Sequence, residues 1–108
     1  MDLDDYQTQA GKTAIYSDAD AVVYPLLGLC SEVGELQGLY KKLLRDSNGL
    51  ITPQFRESMA LELGDVLWYV ANLAGDLGFE LEWVAQQNLD KLNSRMARGV
   101  IQGSGDYR

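Results

Sequence analysis

The sequence predicts an all-α protein, a four-helix bundle in one domain spanning residues 1–108. Apolar residues recur at helical spacing in four stretches, and short turn-forming clusters separate these stretches. Almost no alternation of period two is present, so strands are not expected. A length of 108 residues with 46% hydrophobic composition suits one small domain with a core of its own.

The first two helices are separated by a polar segment. The first is predicted from about Leu3 to Tyr16, and the segment 17–20 then offers residues that cap helices. The second is predicted from about Ala21 to Arg45, with Pro25 in its first turns, where a missing N–H is harmless. Its apolar stripe consists of Leu26, Leu29, Cys30, Val33, Leu36, Tyr40, Leu43 and Leu44. Because free cysteines are commonly buried, we expect Cys30 to be a small core residue.

The third helix follows a turn cluster at 46–49 and an N-cap signal. Thr52 is the predicted N-cap, Pro53 occupies the first helical position, and the helix continues to about Leu77. Its apolar residues cover a broad arc, which predicts burial on most sides. Such a helix needs more neighbours than one small chain provides. We therefore expect the protein to complete its core by oligomerising, as a homodimer or homotetramer.

The fourth helix is predicted from about Glu80 to Arg98. Its packing stripe consists of Leu81, Ala85, Leu89, Leu92 and Met96. The segment 99–108 is rich in small residues and predicts no regular structure, as a flexible tail or a lid over a ligand.

The composition excludes several classes of function. No histidine is present, which excludes Ser-His-Asp and Cys-His nucleophile systems and histidine-ligated zinc. The net charge of -7 argues against nucleic acid as a partner. No apolar run is long enough for a membrane span and no signal-peptide pattern opens the sequence, so we expect a cytoplasmic protein.

Two pairs of carboxylates are the candidate metal ligands. Glu32 and Glu35 lie three residues apart on one side of the second helix. Glu62 projects into the apolar arc of the third helix, with Asp65 at its edge. A buried carboxylate needs a partner, and no basic residue follows Arg56 on this helix. The alternatives are a solvated helix face or a salt bridge from another helix.

A short connection makes the second and third helices antiparallel neighbours, so the two carboxylate pairs are expected to face each other. Four facing carboxylates repel unless a cation lies between them. Oxygen ligands indicate a hard cation, Mg²⁺ or Mn²⁺.

The fourth helix offers a row of residues that suits phosphate. Asn88, Lys91 and Arg95 lie on one stripe, which Arg98 extends. The alternative is a solvated basic face near a helix C-terminus. Trp68 is a candidate for stacking on a nucleobase because it lies near the Asp65 side of the helix, although core packing is the simpler explanation of an aromatic residue at helical spacing.

The two central segments resemble the MazG-type nucleotide pyrophosphohydrolases. These segments read Glu32-Val33-Gly34-Glu35-Leu36 and Glu62-Leu63-Gly64-Asp65-Val66-Leu67. The family pattern is E-E-x-x-E followed by E-x-x-D, and the resemblance extends from about Leu26 to Arg98. Ser31 stands where the family often has the first glutamate.

The resemblance implies a four-helix fold, usually in a dimer or a dimer of dimers. It implies attack of water on the α-phosphate of a nucleoside triphosphate, with release of the monophosphate and pyrophosphate. The implied Mg²⁺ ligands are Glu32, Glu35, Glu62 and Asp65. Glu35 or Glu32 would position the water or accept its proton, and Lys91 and Arg95 would hold the pyrophosphate. A phosphoribosyl-ATP pyrophosphohydrolase is an alternative within the enzymes, and a non-catalytic oligomerisation or partner-binding module is an alternative outside them.

Overall fold

The computed structural model describes residues 1–108 and confirms the all-α prediction. It contains four α-helices, a 3₁₀ turn over Asp18–Asp20 and no strand. The helices are α1 (Leu3–Gly11), α2 (Val23–Ser47), α3 (Pro53–Asp76) and α4 (Leu81–Ala97). None of them combines the length and the apolar character that crossing a membrane requires.

Helix α1 is shorter than predicted, because the backbone leaves the helix after Gly11. The hydroxyl of Thr13 donates to the carbonyl oxygen of Ala10 at 2.9 Å, and so competes for a helical acceptor. Tyr16 then reaches across to α3, where its hydroxyl donates to Asp76 at 2.7 Å. A tertiary contact therefore occupies the residues that periodicity assigned to the end of α1.

The N-termini of α3 and α4 are capped in different ways. The Thr52 hydroxyl accepts from the backbone N–H of Phe55 at 3.1 Å, and Pro53 opens α3, both as predicted. Helix α4 has no side-chain cap from its own N-cap residue. Instead, the N–H of Leu81 donates to the side-chain oxygen of Gln7 at 2.9 Å, and that of Glu82 donates to Asp4 at 3.0 Å. Helix α1 thus caps α4.

The principal packing unit is the pair α2 and α3, joined by residues 48–52. Helices α1 and α4 pack against α3 and against each other. A small buried cluster of Ala10, Ala71 and Leu81 lies where these three helices meet, with Tyr6, Trp68 and Val70 packed around it. This arrangement leaves the faces of α2 and α4 that point away from α3 without a neighbour within the chain.

Several residues predicted to be buried are therefore exposed. Only eight of the 108 residues are buried, which is too few for a closed bundle. Cys30 is exposed, which corrects its assignment to the core. The predicted arc of α3 includes Leu61 and Leu63, which are 74% and 55% exposed. Exposed members of the α2 and α4 stripes are Leu26, Val33, Tyr40, Leu44, Leu89, Leu92 and Met96. Helical spacing places these residues correctly on one face, but no helix of the same chain covers that face.

Candidate metal centre

Three carboxylates converge between α2 and α3. Glu32 of α2 meets Glu62 and Asp65 of α3, and ligand oxygens of all three lie within 4.8 Å of one another. The spacing of three residues places Glu62 and Asp65 on one side of α3, the side that faces α2. The arrangement matches the predicted convergence for these three residues and forms a possible site for one divalent cation.

No basic residue neutralises this carboxylate cluster. The three ion pairs of the protein join Arg45 to Asp46, and Lys91 and Arg95 to Asp106. The salt bridge from another helix, which was the structural alternative, is therefore not formed. Three unpaired carboxylates at this separation repel one another and offer only oxygen donors, so their chemistry fits a hard cation.

The surroundings of Glu32 disfavour its ionised form. Partial burial raises the pKa of this carboxyl, and the negative charges of Asp65, Glu62 and Glu35 raise it further. A bound cation reverses this balance because it favours the charged form of each ligand.

Glu35 lies outside the group of three. It is exposed on α2, one turn beyond Glu32, yet its charge still contributes to the raised pKa of Glu32. Its role as a metal ligand stays a prediction.

Tyr69, which follows Trp68 on α3, forms a wall beside the carboxylate cluster. Its ring lies against α2 at Gly28, where any added Cβ would come within 2.0 Å of a ring carbon. Burial and the neighbouring Tyr24 raise the pKa of the Tyr69 hydroxyl, and the charges of Glu32 and Asp65 raise it further. The available signal was Gly28, because a glycine inside a helix often marks a close approach.

Trp68 packs against the core and also borders an open cavity. The half-buried indole packs against the small core cluster, and its Nε1–H donates to the Thr13 hydroxyl at 2.8 Å. The same side chain lines an open cavity next to Asp65. Its contact with a nucleobase stays a prediction.

The C-terminal segment folds back on α4 and engages the predicted phosphate-binding residues. Asp106 accepts from Lys91 at 3.0 Å and from Arg95 at 3.2 Å, and these cations hold the pKa of its carboxyl below the usual value. Arg95 is only 5% exposed, and its Nε has no hydrogen-bond partner. Asn88 is exposed and makes no side-chain hydrogen bond within the protein. As predicted, the segment contains no regular structure.

Arg108 holds the folded segment together. Its guanidinium donates to the backbone oxygens of Val100, Ile101 and Gly105, at 3.0, 3.0 and 2.6 Å. Arg98 in turn donates to the backbone oxygen of Arg108 at 2.9 Å. Both arginines therefore stabilise the folded segment itself.

The fold and the site define a class: an all-α protein with a carboxylate cluster suited to a divalent cation. A family model described as the MazG nucleotide pyrophosphohydrolase domain matches residues 25–99, and the chain belongs to this family. The chain is also 50% identical over 114 residues to the Gene 37 protein of Mycobacterium phage L5, with both sequences covered in full. No solved structure matches the chain significantly.

Proposed function

We propose that the protein is a Mg²⁺-dependent nucleoside triphosphate pyrophosphohydrolase, which converts an NTP or dNTP to the monophosphate and pyrophosphate. The observation that carries the proposal is the convergence of Glu32, Glu62 and Asp65 between two helices of a MazG domain. Membership in this family supports a pyrophosphohydrolase type of activity, and the carboxylate cluster supports its dependence on a metal.

Glu32, Glu62 and Asp65 are the proposed cation ligands. The bound cation, Mg²⁺ or Mn²⁺, would supply charge neutralisation of the triphosphate and activation of the attacking water. Glu35 is exposed and lies outside the group, so we assign it the positioning of the water and the acceptance of its proton. The sequence offered both Glu32 and Glu35 as cation ligands and as the residue that acts on the water. We assign the first role to Glu32 and the second to Glu35.

Lys91 and Arg95 are the proposed phosphate-binding residues, with Asn88 as an adjacent hydrogen-bond donor. Both cations are paired with Asp106, so a phosphate group would take the place of this carboxylate. The Nε of Arg95 is buried and has no partner within the protein, so one donor of this guanidinium is unsatisfied.

The reaction is tested by measuring products from a panel of canonical NTPs and dNTPs, with Mg²⁺ and with EDTA. We expect stoichiometric monophosphate and pyrophosphate with Mg²⁺, and neither product with EDTA. Orthophosphate and diphosphate would retain the metal site but contradict attack at the α-phosphate. No product, together with a melting temperature indifferent to Mg²⁺, would contradict the enzymatic function and leave the non-catalytic binding module.

We further propose that the functional form is a homo-oligomer. The protein has 7867 Å² of accessible surface, whereas a compact monomer of this mass has about 6,000 Å². Its radius of gyration is 16.8 Å, against about 13 Å for a compact domain of this length. The excess of accessible surface is of the size that a stable interface buries. The exposed apolar stripes on α2 and α4 contribute to this surface.

A substitution in the α2 stripe tests the oligomer. Leu44 is 55% exposed, and Leu44→Glu would place a charge in the proposed interface. We expect the wild type to sediment as a dimer or tetramer at micromolar concentration, and this variant to shift towards the monomer. The matched control is Lys42→Glu on the opposite face of α2, which should retain the wild-type mass. A monomeric wild type, or equal behaviour of the two variants, would contradict the proposed interface.

A further inference from the structure

We propose that an aromatic pocket beside Asp65 binds the nucleobase, and that Asp20 selects bases carrying an exocyclic amino group. The inference rests on the proposed function, because it concerns the nucleotide cleaved at the carboxylate cluster. It adds a binding site for the base and a residue that determines specificity.

The pocket consists of two adjoining cavities of about 270 and 320 Å³. They share two lining residues, Thr13 and Trp68, and so form one continuous surface. The inner cavity is lined by Thr13, Ile15, Tyr16, Ser17, Asp20, Tyr24 and Trp68. The outer cavity is lined by Thr13, Asp65, Trp68 and Tyr69, and therefore reaches the carboxylate cluster. Each is large enough for a planar heterocycle.

Aromatic side chains form the walls of the pocket. The rings of Tyr16 and Tyr24 stack with centroids 4.8 Å apart, and Trp68 meets Tyr69 edge to face at 4.9 Å. Every nucleobase has a π face, so such walls bind bases by stacking. Two hydrogen bonds stabilise the walls, because Trp68 donates to Thr13 at 2.8 Å and Tyr16 donates to Asp76 at 2.7 Å. A preorganised wall loses little entropy when a base enters.

The charges of the pocket orient the nucleotide. Asp20 is the one charged residue of the inner cavity, and no lysine or arginine lines either cavity. A polyphosphate would be repelled there, whereas an uncharged base would not. The outer cavity leads from Trp68 to Asp65, a proposed cation ligand. The base therefore lies in the inner cavity, and its phosphates extend through the outer cavity towards the cation.

Asp20 provides the basis for selection. Its carboxylate makes no ion pair or side-chain hydrogen bond within the protein, and an ionised carboxylate only accepts hydrogen bonds. The amino groups of adenine, cytosine and guanine are donors. Uracil and thymine present an N–H flanked by two carbonyl oxygens, which the carboxylate would repel. The acceptor-only carboxylate of Asp20 therefore favours amino-bearing bases.

The test measures base binding separately from hydrolysis. Trp68 lines the pocket, whereas Trp83 lies elsewhere, stacked on Phe79 at 4.9 Å. In the Trp83→Phe background, which retains this aromatic contact, the remaining tryptophan fluorescence reports on Trp68. AMP, CMP, GMP and UMP are titrated with Mg²⁺ present. We expect the three amino-bearing monophosphates to quench Trp68, with UMP at least about tenfold weaker.

Two variants locate the effect. Asp20 is exposed, and Asp20→Asn keeps the shape of the side chain while adding an amide donor. The variant can therefore donate to a carbonyl oxygen of uracil, and it should reduce the discrimination against UMP from about tenfold to about twofold or less. Tyr24 is 46% exposed, and Tyr24→Leu should weaken all four ligands about tenfold by removing a stacking surface. Circular dichroism confirms that each variant remains folded.

The outcomes distinguish this inference from the proposed function. Selective quenching without any cleavage of triphosphates would support the base pocket and contradict the enzymatic function. Cleavage of triphosphates with no quenching of Trp68 would overturn the base pocket and leave the enzymatic function standing. Quenching of Trp68 with equal affinity by all four monophosphates would overturn the selection of amino-bearing bases. Unchanged selectivity in Asp20→Asn would overturn the role of Asp20.

Discussion

Replacing Glu62 with glutamine is expected to lower the rate of pyrophosphate release by about three orders of magnitude or more, while the protein stays folded. The substitution removes one of three converging carboxylates and keeps the size of the side chain. An amide binds a divalent cation much less tightly than a carboxylate. The metal-free variant should be at least as stable as the wild type, because removing one negative charge reduces the repulsion with Glu32 and Asp65.

Two measurements together check this prediction. Product release is measured at saturating Mg²⁺, and the melting temperature is measured with Mg²⁺ and with EDTA. We expect Mg²⁺ to raise the melting temperature of the wild type, because it binds the native state, and to leave that of Glu62→Gln almost unchanged. The matched control is Glu57→Gln, which makes the same change on an exposed turn of the same helix and should behave as the wild type. An unfolded Glu62→Gln variant would indicate a structural role for Glu62, and full activity would exclude this residue as a ligand.

Replacing Gly28 with alanine is expected to destabilise the protein by about 1–3 kcal/mol, the usual effect of overpacking. Alanine favours helix over glycine by up to about 1 kcal/mol, which would offset part of this loss. The loss should prevail because the new Cβ would come within 2.0 Å of the Tyr69 ring. Two neighbouring rings limit the movement of the Tyr69 ring, since the centroids of Tyr24 and Trp68 lie 6.5 and 4.9 Å from its own.

Urea unfolding followed by circular dichroism measures this effect. The control is Gly34→Ala on the same helix, where an added Cβ meets nothing within 4 Å and alanine should be neutral or stabilising. In a double-mutant cycle, Tyr69→Ala should cost less in the Gly28→Ala background than in the wild type, because it also relieves the clash. Equal stabilities of the Gly28 and Gly34 variants would contradict the close contact of α2 and α3 at this position.

Gly28→Ala also affects the site, because Tyr69 is the wall next to Glu32 and Asp65. The Tyr69 ring lines the same cavity as Asp65, and the charges of Glu32 and Asp65 contribute to the raised pKa of its hydroxyl. A displaced ring changes the separation of the helices that carry the ligands.

Local sequence rules determined the secondary structure and the identity of the central carboxylates. Thr52 and Pro53 marked the start of α3 because capping involves only neighbouring residues. The spacing of Glu62 and Asp65 put both on one side of their helix for the same reason. The end of α1 was predicted wrongly. Tyr16 lies outside the helix and donates a hydrogen bond to Asp76, sixty residues away in sequence.

Tertiary structure alone decided which of these faces meet. The sequence placed Glu32 and Glu35 equally as ligands, but the rotation of α2 against α3 brings only Glu32 within 4.8 Å of Glu62 and Asp65. Likewise, Gln7 caps α4, and Asp106 reaches Arg95, only after the chain has folded. Periodicity predicts the direction of a side chain about its own helix axis. It predicts neither the rotation of that helix against its neighbour nor which apolar face is covered by another helix. Both depend on packing between residues that are distant in sequence.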